Sequence, residues 1–80
     1  MLYFLNISKL AERKDKLGQP IPFSLKYIVK STGEIRLVDN CVCTSSHNRP
    51  ASINIQRPDG QIRKIRCSNI LEFDNIEVYI

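Results

Sequence analysis

A hairpin motif written twice limits what this chain can fold into more than any other feature. Residues 27–38 read YIVKSTGEIRLV and residues 54–65 read NIQRPDGQIRKI. In each, a mostly apolar run meets a polar turn closed by glycine (Gly33, Gly60). Glutamate or its amide follows (Glu34, Gln61), then Ile-Arg, any residue, and a β-branched residue. Short β-rich runs separated by a few turn residues that include glycine are the pattern of a β-hairpin with a short loop. Both copies place an arginine, Arg36 or Arg63, at the same step beyond the turn.

Period-two patterning extends this reading to most of the chain. Phe23, Leu25, Tyr27 and Val29 share one face of a first strand, and Ser24, Lys26 and Lys30 share the other. A second strand from Glu34 to about Cys43 places Ile35 and Leu37 with Cys41 and Cys43. Val38 and Val42 need cover as well, so a bend or bulge is expected near Asp39-Asn40. Thr44 to Pro50 reads as the longest polar loop. Ile53 and Ile55 point inward from a third strand, Pro58-Asp59-Gly60 turns the chain, and Gln61 to Cys67 forms a fourth. Ile70 to Phe73 and Ile76 to Ile80 pair across Asp74-Asn75, two residues that tolerate the left-handed conformation. The expected core holds Leu25, Tyr27, Val29, Ile53, Ile55, Leu71 and Phe73.

Ahead of these strands, Ile7, Leu10, Ala11, Lys14 and Leu17 fall on one helical face, with Gly18 and Pro20 as a stop signal. A helix over Asn6 to Leu17 is expected, with Met1 to Leu5 extending it or adding a strand. The whole is one domain. A helical segment and connector occupy residues 1–20, and residues 21–80 form a mainly β unit. The expected architecture is a small, partly closed antiparallel barrel of the SH3 or Sm kind, with about six short strands. An open sheet covered on one face by the helix is the competing arrangement. With no tryptophan and six other aromatics in 80 residues, the core depends on Ile, Leu and Val.

Charge divides along the chain. From Lys26 to Arg66 there are eight basic residues and three acidic ones, whereas Cys67 to Ile80 holds three acidic residues and no basic one. A positive hairpin region points to an anionic partner, although basic side chains also keep edge strands soluble. Met1 to Leu5 is too short an apolar run to span a bilayer and has no basic flank before it, so neither export nor membrane insertion is expected. Three cysteines make a poor disulfide framework and fit a reducing, cytoplasmic compartment.

Catalytic and metal motifs are weak. Cys41, Cys43, His47 and Cys67 are zinc-ligand types, but zinc knuckles pair cysteines across two to four residues and here one residue intervenes. Core filling is the expected role of the cysteines, with no cofactor and no metal. His47 neighbours Ser45, Ser46 and Cys43 in sequence only, and no phosphate-cradling glycine loop is present. The expectation is a non-enzyme. The sharper candidate is nucleic-acid binding through Lys26, Lys30, Arg36, Arg57, Arg63 and Arg66 on the outward face of the hairpins. In that reading cations meet phosphates while Asn54 and Gln56 reach base edges. Tyr27 and Tyr79 are the candidate stacking residues, with Tyr27 expected inside. A protein-adaptor role through an exposed strand edge is the alternative.

The segments FSLKY (23–27), STGEIR (31–36), CTSSHNRP (43–50), GQIRKIR (60–66) and EVYI (77–80) resemble small uncharacterised proteins of gut Bacteroidales and their phages or mobile elements. That resemblance implies a cytoplasmic accessory protein of bacterial or phage origin, and it carries no site residues. GEIRLV and GQIRKI are also similar to strands of WYL-type SH3-like modules. The Trp-Tyr-Leu signature itself is missing, so this second likeness bears on fold alone.

Overall fold

A computed structural model describes every residue except Pro50 and the side chain of Asn48. In chain order the elements are β1 (Leu2–Tyr3), α1 (Ile7–Ala11), β2 (Phe23–Val29), β3 (Glu34–Asn48), β4 (Ala51–Gln56), β5 (Ile62–Arg66), β6 (Ile70–Phe73) and β7 (Ile76–Tyr79). Short 3-10 turns occupy Phe4–Asn6 and Cys67–Asn69. The strands form one seven-stranded sheet in the order β1-β7-β6-β2-β3-β4-β5.

Both hairpins of the repeated motif turn where the sequence places them. Gly33 (φ 74°) closes the first and donates its N–H to the Val29 carbonyl at 2.7 Å; Gly60 (φ 89°) closes the second and donates to Arg57 at 2.9 Å. Positive φ costs glycine nothing, which is why both turns end on it. Asp74 (φ 50°) and Asn75 (φ 66°) make the tight turn between β6 and β7.

β3 is long because it serves two partners. Its first part pairs with β2, its last part with β4. Between them the strand bends as expected near Asp39-Asn40. Asn40 adopts φ 53°, and the step from Leu25 to Phe23 faces the longer step from Val38 to Cys41. A second bulge leaves Thr44 over between the pairs Cys43–Ile55 and Ser45–Asn54. Extra residues on one strand increase twist, so β3 carries the sheet round toward itself. The core lies inside this curl: Phe23, Leu25, Tyr27, Val38, Cys41, Ile53, Ile55, Ile65, Cys67, Ile70 and Phe73 are buried, together with Ile7 and Ala11 of α1.

Several sequence expectations are corrected. The sheet does not close into a barrel. β5 passes through the 3-10 turn at Cys67–Asn69 into β6, which pairs with β2 instead of β5, and β1 adds a parallel strand beside β7. Ile35 and Leu37 face out, 58% and 73% exposed, because the hairpin register sets Ile35 opposite Ile28 and Leu37 opposite Lys26. Val38 takes the inward place. Since side chains alternate at every residue, the register fixed by the turn decides the whole face. Leu71 is only half-buried: Tyr27 pairs with Ile70 and Lys26 with Glu72, so Leu71 is the bulged residue and Ile70 fills the core. Val29 is likewise half-buried at the core margin.

The helix is shorter than its apolar face. It stops at Ala11, and Asp15 takes over the following turn by accepting from the N–H groups of Leu17 and Gln19, each at 2.9 Å. A short acidic side chain offers backbone donors this alternative to helix, and Leu17 is left 86% exposed. The expected 44–50 loop is also largely strand, since Ser45 to Asn48 pair with Asn54 to Ala51. Pro50, the last residue of that stretch, lies outside the described residues.

Candidate functional site

The two hairpins meet around one cleft of about 440 Å³. One wall is the end of the β2–β3 hairpin, contributing Tyr27 to Lys30 and Arg36. The other is β5 with the turn after it, contributing Arg63 to Arg66 and Asn69. Among the described residues, five cations and no carboxylate line this space.

The hairpin repeat explains how two of these cations arrive there. Tyr27 pairs with Arg36, and Ile55 with Arg63. Tyr27 and Ile55 are buried, so both arginines project from the core-facing side of the sheet, just beyond the apolar core. This corrects the outward placement read from the sequence. Each arginine is steadied by the side chain two positions before it. Arg36 donates to the Glu34 carboxylate at 3.2 Å, and Arg63 to the Gln61 amide oxygen at 3.2 Å. The repeated Gly-(Glu/Gln)-Ile-Arg thus builds the same side-chain pair twice.

Of the six site residues expected from the sequence, Lys30, Arg36, Arg63 and Arg66 line the cleft. Lys26 lies on the opposite face, bound to Glu72 at 3.3 Å. Arg57 sits in the β4–β5 turn and does not line the cleft. Lys64 joins the cleft although period-two alternation had assigned no role to it. The signal that would have found it is that β5 is an edge strand, so consecutive residues border the gap. Asn54 and Gln56, the amides expected at base edges, lie on β4 outside the cleft.

Charge in the cleft is largely uncompensated. Among the described residues, Lys30, Arg63, Lys64 and Arg66 have no ion-pair partner; Arg36 has Glu34, in an exposed and therefore weak pair. Tyr27 (7% exposed) and Ile65 (4%) supply an apolar floor. The remaining aromatic candidate, Tyr79, packs against Tyr3 with ring centroids 5.3 Å apart, on the β1–β7 side of the sheet.

The cysteines and His47 do not form a site. Cys41 is fully buried, its thiol donating to the Phe23 carbonyl at 3.2 Å; Cys43 donates to Ser45 at 3.3 Å. His47 is exposed on β3 opposite Ser52, and the Ser46 hydroxyl donates to Glu12 rather than to an imidazole. Among the described residues no group of three or more His, Cys, Asp or Glu side chains is placed to hold a metal ion. Burial pushes the Cys41 thiol up to about 11, with Asp74 and Asp39 adding to the effect, and burial also raises Cys43 and Cys67. The thiol of an unfolded chain ionises from about pH 9 while that of folded Cys41 stays neutral. Stability from this source is therefore complete below pH 9 and falls between 9 and 11. We expect stability measured by denaturant to fall across that window, and Cys41→Ser to flatten the fall. Native Cys41 and Cys67 should resist a thiol reagent at pH 8 and react once the protein is denatured.

No helix among the described residues is long and apolar enough to cross a membrane. No family model matches the chain, and neither does any curated protein or solved structure.

Proposed function

We propose that this is a non-enzymatic binding module that takes nucleic acid in the cleft between the β2–β3 hairpin and β5, chiefly through phosphates. The observation that carries the reading is the convergence of Lys30, Arg36, Arg63, Lys64 and Arg66 on one cleft, with no carboxylate among the described residues that line it. Cations held in this way neutralise phosphates and release counterions, so affinity follows salt. About four phosphate contacts give a slope of log affinity against log salt of roughly −3 to −4. Fluorescence anisotropy with labelled oligonucleotides at rising salt measures it. Arg36→Ala together with Arg63→Ala should weaken binding while the circular dichroism spectrum stays unchanged, since both side chains are exposed.

A protein-adaptor role is the second reading, favoured by the free edge of β5 and the exposed Ile35, Leu37 and Ile62. It predicts no oligonucleotide binding at tens of micromolar protein, and a discrete partner captured from lysate after nuclease treatment. In the finer fold reading, β2 to β6 are an SH3- or Sm-like barrel left open along the seam between β5 and β6. The setting that goes with either role is the cytoplasm of a bacterium, as an accessory protein of bacterial or phage origin.

A further inference from the structure

We infer that the ligand is a single strand, and that the cleft lodges one base over Tyr27 and Ile65 while the flanking phosphates sit on its cationic rim. The inference rests on the nucleic-acid reading and goes further, to the form of nucleic acid bound. A surface that only neutralised phosphates would need no apolar floor. Here the space bordered by five cations has at its base the nearly buried Tyr27 and Ile65, with half-buried Val29 beside them. Apolar floor and charged rim together match a nucleotide, whose base is flat and apolar on its faces and whose phosphate is anionic.

Size decides between strand types. A cleft of about 440 Å³ lies toward the lower end of the range that encloses a small molecule. It is on the scale of one nucleotide, so a duplex would lie across the cationic rim without bringing a base face to the floor. A duplex also keeps its base faces stacked, and extruding one has an unstacking cost that a single strand does not meet. Arg36 and Arg63 reach the cleft from β3 and β5, and each guanidinium is steadied by the residue two positions earlier. Planar guanidinium groups held in this way stack on bases as aromatic rings do. Asn69, half-buried at the end of the 3-10 turn, brings an amide to the same space. Its donor and acceptor suit a base edge.

The test compares three labelled probes of equal length at one low salt concentration: oligothymidylate, the same strand in duplex with oligoadenylate, and an abasic strand. Stacking of one base corresponds to about a five- to 150-fold effect, so the single strand should bind at least about fivefold tighter than the abasic strand. It should also bind tighter than the duplex, while the abasic strand keeps the salt dependence. Equal binding of the abasic strand, or duplex binding as tight as that of the single strand or tighter, overturns the inference and leaves the nucleic-acid reading standing. Absence of binding to all three removes both. Asn69→Ala supplies a second measure. It should weaken oligothymidylate binding several-fold and leave the abasic strand unaffected, whereas equal loss on both probes would remove the base contact.

Discussion

Reversing two charges on β5, Arg63→Glu with Arg66→Glu, is expected to abolish oligonucleotide binding at a salt concentration where the parent binds. The change takes the cleft lining from five cations to three cations and two anions. At about 50 mM salt, releasing the counterions of one phosphate on a single strand corresponds to roughly an eightfold gain in affinity. Losing two contacts therefore costs about 60-fold, and two glutamates facing the phosphates carry the loss beyond 100-fold. Both side chains are exposed, so the fold should survive, as a thermal melt will check. Arg57→Glu with Lys16→Glu is the matched control. It makes the same change of net charge at two cations that do not line the cleft, and its loss should be at least about tenfold smaller. Equal losses for the two double reversals would mean that net charge acts rather than the cleft.

Phe73→Ala should be the most damaging single core substitution. Phe73 is 1% exposed and stacks on Phe23 with ring centroids 4.8 Å apart. It also closes the strand that leads into the Asp74 turn, where Ser24 and Asp74 exchange hydrogen bonds of 2.8 and 2.9 Å. Truncating a buried phenylalanine costs about 3–5 kcal/mol, and small domains have little more than that in reserve. A fall in melting temperature of about 20 °C or more is expected, or failure to fold. Leu37→Ala should change stability by no more than about 0.5 kcal/mol, because Leu37 is 73% exposed. A large loss at Leu37 would mean that β3 presents its other face to the core.

That pair of substitutions also marks where the sequence was legible. Turn chemistry located both hairpins and the Asp74-Asn75 turn, because glycine, proline and Asx residues act locally. The bend at Asn40 followed from a conflict of parity within one strand. What stayed hidden depends on register. A four-residue turn put Tyr27 opposite Arg36, and this one fact turned Ile35 and Leu37 outward and brought Arg36 to the core-facing side. Leu71 was displaced in the same way by a bulge with no composition of its own. In the candidate site, the equivalence of Arg36 and Arg63 was visible as a repeat. Their meeting in one cleft was not, because it follows from the coiling of β3 around the core. Lys26 looked as available as Lys30 until the pairing of β6 with β2 brought Glu72 to it.

The most direct measurement is an amide chemical-shift map of the labelled protein titrated with oligothymidylate at low salt. If the two hairpins build one nucleic-acid cleft, the perturbed amides will be those of Tyr27 to Lys30, Arg36, Arg63 to Arg66 and Asn69. Those of Lys26, Arg57 and β7 will stay in place. Perturbations spread evenly over every basic residue, or confined to the exposed Ile35 and Leu37 face, would contradict it.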